Sequence, residues 1–400
     1  MNSRRPRKSC KKNLSVIFLL FVIPNAFGQA SDGLDLVESN FAFAQEQLSL
    51  ALDAIGDSHL NPRSTNEDGS LHLVKSGDWT SGFFPGNLWM IYEYSGDEKW
   101  RTAARKFTAN VEEEQHNGTT HDMGFKMYCS VGNGYRLTND ARYKEILLQS
   151  ARTLVTRFNE KVGCIRSWDH NSDRWQFPVI IDNLMNLELL FWATKVSGDS
   201  SYYKIALAHA NTTLKNHYRS DNSSWHVIDY DTSTGAILNR HTHQGYSHDS
   251  AWSRGQAWGL YGFTMCYRET GDDNFLQQAR KIADFILSHK NLPEDSVPYW
   301  DFDAPNIPDE QRDASAAAII CSALYELSDH LGNNGSKYRN AADKILASLS
   351  TPKYRAQIGG NNNFLLMHSV GSKPANSEVD TPLIYADYYF LEANLRKNDY

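Results

Sequence analysis

The sequence predicts an all-α protein, an (α/α)6 barrel or six-hairpin toroid, on three observations: a recurring turn motif, twelve helical segments, and an alternation in their character. The turn occurs as Ser95-Gly96-Asp97-Glu98-Lys99-Trp100, Thr138-Asn139-Asp140-Ala141-Arg142-Tyr143, Ser197-Gly198-Asp199-Ser200-Ser201-Tyr202 and Thr270-Gly271-Asp272-Asp273-Asn274-Phe275. A looser fifth copy is Gly332-Asn333-Asn334-Gly335-Ser336-Lys337-Tyr338. Each copy has a Gly or Asn able to close a helix in the left-handed conformation, and most then have an Asp able to cap the next helix. The aromatic that follows can pin the new helix. This is the pattern of a repeated helical hairpin.

Helices are expected to start near Val37, Trp79, Lys99, Met123, Ala141, Asp182, Tyr202, Arg254, Asn274, Ser315, Lys337 and Thr381. After Asp272, the residues Phe275, Ala279, Ile282 and Ile286 share one helical face, and Tyr143, Leu147, Leu154 and Phe158 do much the same after Asp140. Helices after the Gly-Asp turns are amphipathic. Those before the turns, such as Leu184 to Val196 and Ala316 to Leu327, are apolar nearly all round. Six buried helices ringed by six half-exposed ones make the barrel. An open solenoid of hairpins is the alternative, and it requires more regular repeat lengths.

With 400 residues, 41 % hydrophobic and 22 % charged, the chain reads as globular and soluble. Aromatics reach 12 %, and many sit in polar motifs where a ring can stack on a sugar face; filling a large core is the competing use. Residues 1–28 read as a cleaved secretory signal, leaving 29–400 as one catalytic domain. Arg4, Arg5, Arg7, Lys8, Lys11 and Lys12 precede the apolar run Leu14 to Pro24, and Ala26-Phe27-Gly28 suits signal peptidase. The run is too short for a comfortable membrane span, and Cys10 precedes it, which is not the place of a lipoprotein cysteine. A periplasmic or secreted protein is expected. The segment's six cations and no anions turn the net charge of −7 into −13 on cleavage, which repels nucleic acid. Cys129, Cys164, Cys266 and Cys321 lack metal spacing and read as buried thiols, with one disulfide as the alternative.

The polar, aromatic-rich motifs stand at the starts of the apolar helices: Asp78 to Gly86, His121 to Phe125, Ile181 to Asn186, His241 to Trp258, Arg312 to Ser315 and Glu378 to Pro382. If those helices run parallel, the motifs converge on one mouth, where helix N-termini favour an anion. Asp182 follows the apolar Pro178-Val179-Ile180-Ile181, surroundings that raise a carboxyl pKa and suit a general acid. An ordinary N-cap is the other reading, and Asp122 shares the ambiguity. Asp313 and Asp380 read as caps at the rim. Two carboxylates facing each other across a sugar are the usual glycosidic arrangement. The run His241-Thr242-His243-Gln244-Gly245-Tyr246-Ser247-His248-Asp249 matches no standard zinc spacing, so no metal is expected. Arg254 lies four residues before Trp258, where a guanidinium and a ring can meet to grip a uronate. An Arg that caps a neighbouring carbonyl over a core Trp is the structural alternative.

The segments Asp78 to Gly86, His121 to Phe125, Asp182 to Ala193, His241 to Phe263 and Pro298 to Pro305 resemble glycoside hydrolase family 88, the unsaturated glucuronyl hydrolases. The likeness runs from about Phe41 to Leu395, with the motifs in order. The resemblance implies an (α/α)6 barrel that acts, without metal or cofactor, on oligosaccharides left by polysaccharide lyases. Such enzymes hydrate the C4=C5 bond of the terminal uronic acid instead of attacking the glycosidic carbon. Asp182 matches the family's acid, which protonates C4 and assists water addition at C5; Asp122 matches the supporting aspartate. Trp79, His121, Trp168, His226, Gln244, Arg254 and Trp258 match family substrate-site residues. Some members bind sulfate through serines and a lysine in a late loop, which points to Ser369 and Ser372, although Lys373 stands one residue early. Chondroitin, hyaluronan, heparin, ulvan and gellan fragments all remain candidates, for a monomer or homodimer with no membrane or nucleic-acid partner. The rivals are an unsaturated rhamnogalacturonyl hydrolase, a sugar epimerase on a similar barrel, and a non-catalytic sugar-binding protein.

Overall fold

The computed structural model describes residues 35–398, and the expected signal segment lies outside them. At four of the five repeated turns the chain follows the motif. Gly96, Asn139, Gly198 and Gly271 take left-handed conformations with φ of 67°, 53°, 78° and 69°, a region Gly enters freely and Asn tolerates. Asp97, Asp140, Asp199 and Asp272 then accept the backbone N–H two residues on, at 3.0, 3.0, 2.8 and 2.9 Å. The fifth turn differs, because Gly335 precedes its helix and offers no side-chain cap. Trp100, Tyr143, Tyr202, Phe275 and Tyr338 are all buried, as the pinning role requires.

Twelve α-helices result among the described residues. The outer set is α1 (Leu36–Ile55), α3 (Glu98–Ala109), α5 (Ala141–Val155), α7 (Ser200–Asn216), α9 (Asp273–Ser288) and α11 (Ser336–Leu349). The inner set is α2 (Phe83–Ser95), α4 (Asn133–Thr138), α6 (Leu187–Ser197), α8 (Ser253–Thr270), α10 (Ala314–Leu331) and α12 (Ile384–Asn398). Each inner helix packs on the next, with α4 joined to α6 through the segment 124–132 that leads into it, and α12 packs back on α2, so the ring closes and the open solenoid is excluded. Asn40 on α1 ties the ends of the chain together, donating to Asn394 Oδ1 on α12 and to Ser350 Oγ after α11, both at 2.9 Å. Every side chain of α8 from Ser253 to Cys266 is buried, so this inner helix is covered all round, with polar and small residues interspersed among Trp258, Leu260 and Phe263.

Several inner helices begin otherwise than expected. The second starts at Phe83 and not at Trp79, because Asp78 Oδ1 accepts both Thr80 N (2.9 Å) and Thr80 Oγ1 (2.6 Å), a local turn that competes with the helix. The segment expected from Met123 is a π-helix, Gly124–Gly132, that runs on into α4. Asn186 Oδ1 accepts Gly124 N and Phe125 N at 2.7 and 3.2 Å. A Cβ on Gly124 would lie 2.6 Å from Asn186 Cα, so only glycine permits that approach. Asp182 falls in a 3-10 turn, Ile181–Asn186, ahead of α6. Near the end, α12 starts at Ile384 and not at Thr381, and Asp380 is no cap: it sits on a strand at φ 57° and meets His368 Nδ1 at 2.6 Å.

Short antiparallel strands, absent from the sequence reading, edge the ring. They are β1 (Asn61–Thr65) with β2 (Leu71–Val74), β3 (Phe158–Asn159) with β4 (Cys164–Ile165), β5 (Pro178–Ile180) with β6 (Val227–Tyr230) and β7 (Ile237–His241), and β8 (Ser369–Ser372) with β9 (Ser377–Thr381). The apolar approach to Asp182 is β5, buried on both faces. Its register sets Ile180 opposite Val227, and Ile181 N donates to His226 O at 3.0 Å, which brings His226 beside Asp182.

The other end of the barrel is closed by ion pairs between neighbouring inner helices. Arg136 of α4 meets Glu93 of α2 with both guanidinium nitrogens, at 2.5 Å each. Arg268 of α8 reaches Glu188 of α6 and, at 2.8 Å, Glu326 of α10, and Arg396 of α12 meets Glu326 at 2.7 Å. Glu93, Arg136, Glu188, Arg268 and Arg396 line a cavity of about 490 Å³ that Phe125 and Tyr389 also line. The four cysteines among the described residues are all free thiols.

Candidate active site

The N-terminal ends of the inner segments bring the predicted residues to one mouth. His121 and Asp122 precede the π-helix, with His121 Nε2 3.3 Å from Asp122 Oδ1. Asp182 stands at the 3-10 turn, Arg254 and Trp258 on α8, and Asp313 at the start of α10. Trp79 lies between Phe125 and Tyr385, with ring centroids at 5.4 and 4.9 Å, and Phe125 lies 5.1 Å from Trp258. These rings form the floor.

Asp182 does not cap its helix. Its Oδ2 is buried and has no hydrogen-bond partner among the described residues. Burial raises its pKa to about 7, opposed by the Arg254 guanidinium and its own backbone N–H and reinforced by the Asp122 charge. The Trp258 indole lies beside it, short of hydrogen-bond geometry, with Nε1 unpartnered. A carboxyl group held this way keeps its proton near neutrality. His226 completes the arrangement. Its Nδ1 accepts His243 N and Gln244 N, both at 3.2 Å, so the ring proton resides on Nε2, which faces Asp182 Oδ2 at 3.8 Å. Burial holds the His226 pKa well below the usual histidine range, so this is a neutral imidazole presenting one donor. Asp122, 15 % exposed, accepts Thr120 Oγ1 at 2.8 Å.

Arg254 is placed differently from the expected carboxylate grip. It pairs with Asp313 Oδ2 at 3.0 Å and donates to Val370 O and, at 2.6 Å, to Gly371 O. The rings against its guanidinium are Trp252 at 4.7 Å and Tyr385 at 5.4 Å, and not Trp258. The reason is geometric: helical side chains lean toward the N-terminus, so Arg254 covers Trp252 at the helix entry and turns away from Trp258 one turn further on. Gln244 Nε2 also donates to Gly371 O, at 3.0 Å. Arg254 and Gln244 together fasten β8 to the mouth. Ser369 on that strand is buried with an unpartnered Oγ, and Ser372 is half-buried. Lys373 is engaged by Gln311 and lies 3.9 Å from Glu310. The opposite strand is held by Arg63, which meets Glu378 at 2.6 and 2.8 Å and Asp78 at 2.7 Å.

Trp168 is half-buried at the edge of the mouth, 5.8 Å from His226 and 5.4 Å from Trp175. Sequence reasoning missed Tyr385, Trp252 and the Arg63 clamp. Trp252 lay inside the quoted His241–Trp258 run, whereas Arg63 sits in a segment with no periodic signal. In the histidine run, His241 and His248 stack on each other at 4.5 Å and Trp175 Nε1 donates to His241 Nδ1 at 3.1 Å. Among the described residues no three His, Cys, Asp or Glu are grouped to hold a metal ion. Four buried polar atoms without partners (Asp182 Oδ2, His226 Nε2, Trp258 Nε1 and Ser369 Oγ) share one aromatic-floored mouth. Such a set is suited to the hydroxyls and carboxylate of a sugar acid.

Fold and mouth define a glycoside hydrolase built on the (α/α)6 barrel. The profile of Glycosyl Hydrolase Family 88 matches residues 57–400, and the chain belongs to that family. It is 52 % identical, over 82 % of each chain, to the unsaturated glucuronyl hydrolase of Formosa agariphila. It is 34 % identical to the unsaturated chondroitin disaccharide hydrolase of Streptococcus pneumoniae, over 88 % of this chain and 89 % of that one. Among solved structures, an unsaturated glucuronyl hydrolase specific for heparin superposes with a TM-score of 0.89 at 50 % identity, covering 91 % of this chain and 97 % of the other. The unsaturated glucuronyl hydrolase of Bacillus sp. GL1 gives 0.85 at 32 % identity, covering 90 % and 96 %.

Proposed function

We propose that the enzyme removes the Δ4,5-unsaturated uronic acid from the non-reducing end of lyase-generated oligosaccharides of glycosaminoglycan or ulvan type. The observation that carries this reading is Asp182: a carboxyl group only 13 % exposed, with a pKa of about 7 and a buried, free Oδ2 in an aromatic-floored mouth. A saturated glycoside offers a weakly basic oxygen to such an acid, whereas the C4=C5 vinyl ether offers carbon C4. Asp182 gives its proton to C4, and the cation at C5 is shared with the ring oxygen and stabilised by the carboxylate left behind. Water adds at C5 and returns its proton to Asp182. The hemiketal opens to a ketone, freeing the ring oxygen as a hydroxyl on C1, and that hemiacetal collapses to release the second sugar. Asp122 supports the acid by its charge, and His226 Nε2–H serves as a donor beside it. Trp79, Trp168, His121, Gln244 and Trp258 position the sugar, with Ser369 and Ser372 at its edge. Arg254 acts from behind, holding β8 and tempering the acid.

The test mixes mature protein with a panel of lyase-made unsaturated disaccharides and follows the ultraviolet absorbance of the conjugated double bond. Loss of absorbance with release of the second sugar is expected. No loss on any of them, sulfated or not, would sink the reading in favour of an epimerase or a sugar-binding protein. Secretion belongs to the same proposal: the basic, then apolar, start of the chain supports removal of residues 1–28 and a periplasmic or extracellular enzyme, monomeric or dimeric. N-terminal sequencing of protein from the native host would overturn it by finding the leader intact. No helix among the described residues is long and apolar enough to cross a membrane.

A further inference from the structure

We infer that the rim around Trp168 and Trp175 is an anion subsite, with Arg174 as its cation, for a sulfate on the sugar beyond the cleaved linkage or a uronate carboxylate on the sugar after it. The inference rests on the function proposed above and names its substrate class more narrowly.

The Arg174 guanidinium lies 4.4 Å over the Trp175 ring and donates to Thr242 O at 3.3 Å. Among the described residues it has no carboxylate partner. The nearby Arg157 and Arg166 are different, since both are matched by Asp169, at 2.9 and 3.5 Å. Around Arg174 stand imidazoles and ring faces. His243 meets Trp168 and Trp175 edge-on at 5.2 and 5.7 Å, and His170 stacks on Trp168 at 5.3 Å. The positive field is felt locally, because Arg174 adds to burial in lowering the pKa of both His241 and His243. The opposing carboxylate there is Asp229, which faces His241 and is itself engaged by Phe177 N at 2.8 Å.

Position gives the subsite its meaning. From Arg174 the path runs over Trp175 to Trp168, then to His226 and Asp182 Oδ2, in ring contacts of 5.4 and 5.8 Å and a last step of 3.8 Å. With the terminal sugar at Asp182, the next ring lies against Trp168 and its substituents reach Arg174. A planar, always charged guanidinium backed by an indole suits a sulfate or carboxylate in two-pronged contact. On the other side of the mouth, Lys373 beside Ser369 and Ser372 is already bound by Gln311 and near Glu310, so β8 offers hydroxyls and no free ammonium group. In a chain of net charge −7, an exposed arginine without a carboxylate partner is where an anion is drawn in.

The experiment compares wild type, Arg174→Ala and Arg174→Lys on two unsaturated disaccharides that differ by one sulfate on the second sugar, and on an unsulfated tetrasaccharide. In parallel, Asp182→Asn and Asp182→Asn/Arg174→Ala are titrated calorimetrically with the same compounds, which reads binding without turnover. Arg174→Ala is expected to raise KM for the sulfated disaccharide about tenfold, the effect of losing one charge-assisted contact. The kcat and the unsulfated KM should stay put, and Arg174→Lys should restore part of the loss. An effect confined to the tetrasaccharide would assign the site to a uronate carboxylate. Equal effects on both disaccharides, or none on any compound, would overturn the subsite. If nothing is turned over yet the titrations keep an Arg174-dependent preference, the subsite stands and the hydrolase reading falls.

Discussion

Arg254 Nη1 and Asp313 Oδ2 meet at 3.0 Å across the mouth of the barrel, with both side chains sealed from solvent. The same aspartate caps α10, its Oδ1 accepting Ser315 N at 3.0 Å and Ala316 N at 3.3 Å. One carboxyl group therefore starts an inner helix, neutralises the cation beside the acid and, through Arg254, anchors β8. Asparagine keeps the cap but not the charge. In Asp313→Asn the less compensated guanidinium should lower the Asp182 pKa, so the alkaline limb of kcat/KM moves to lower pH. A pH profile checks this, with circular dichroism to show the helices retained; an unmoved limb would confine Asp313 to capping.

Removing the other partner should be harsher. Arg254→Ala leaves Asp313 buried without its cation, takes the donor from Val370 O and leaves Gly371 O to Gln244 alone, a loss of roughly 3–5 kcal/mol. Urea unfolding would show it as a lower midpoint with an unchanged slope. A midpoint within error of wild type would count against the clamp.

Asp182→Asn should reduce kcat/KM by roughly 10²- to 10⁴-fold while leaving the helical signal intact, since Asp182 caps nothing. The same substitution should stabilise the protein above neutrality. A carboxyl whose pKa is raised on folding from 3.8 to about 7 binds its proton more tightly in the folded state. Its contribution is complete below pH 3.8 and is lost as pH rises to about 7. Asparagine carries no such dependence. Thermal melts should therefore show the variant gaining on wild type between pH 4 and 8, by roughly 1–4 kcal/mol in all. Parallel melts across that range would refute the raised pKa.

His226 is neutral and supplies one N–H toward Asp182. His226→Gln should lower kcat by roughly 10²-fold, the cost of one aligned donor, without moving either limb of the pH profile. A shifted acidic limb would show that His226 itself titrates.

Much of the barrel could be read from sequence because its repeated turns are local. Asp97, Asp140, Asp199 and Asp272 each act on an N–H two residues away, so the signal and its consequence fall in the same window. What could not be read depends on distant partners. The π-helix at Gly124 follows from Asn186, and Arg63 finds Glu378 only once β1 and β9 lie side by side. Asp182 was legible as an acid or a cap, and its free Oδ2 in the 3-10 turn favours the acid. Arg254 meets Trp252 and not the Trp258 its spacing suggested, since spacing along a helix carries no information about the strand and carboxylate that capture it.

The packing of α12 against α2 makes the twelfth helix in chain order the piece that completes the mouth, since Tyr385 supplies a face to both Trp79 and Arg254. A growing chain thus holds every carboxyl group of the site long before it holds an active centre. Competence waits for the fifteen-residue segment Ile384–Asn398. A ribosome stalled short of it would carry a strip of helical hairpins with its sugar-facing surface still open.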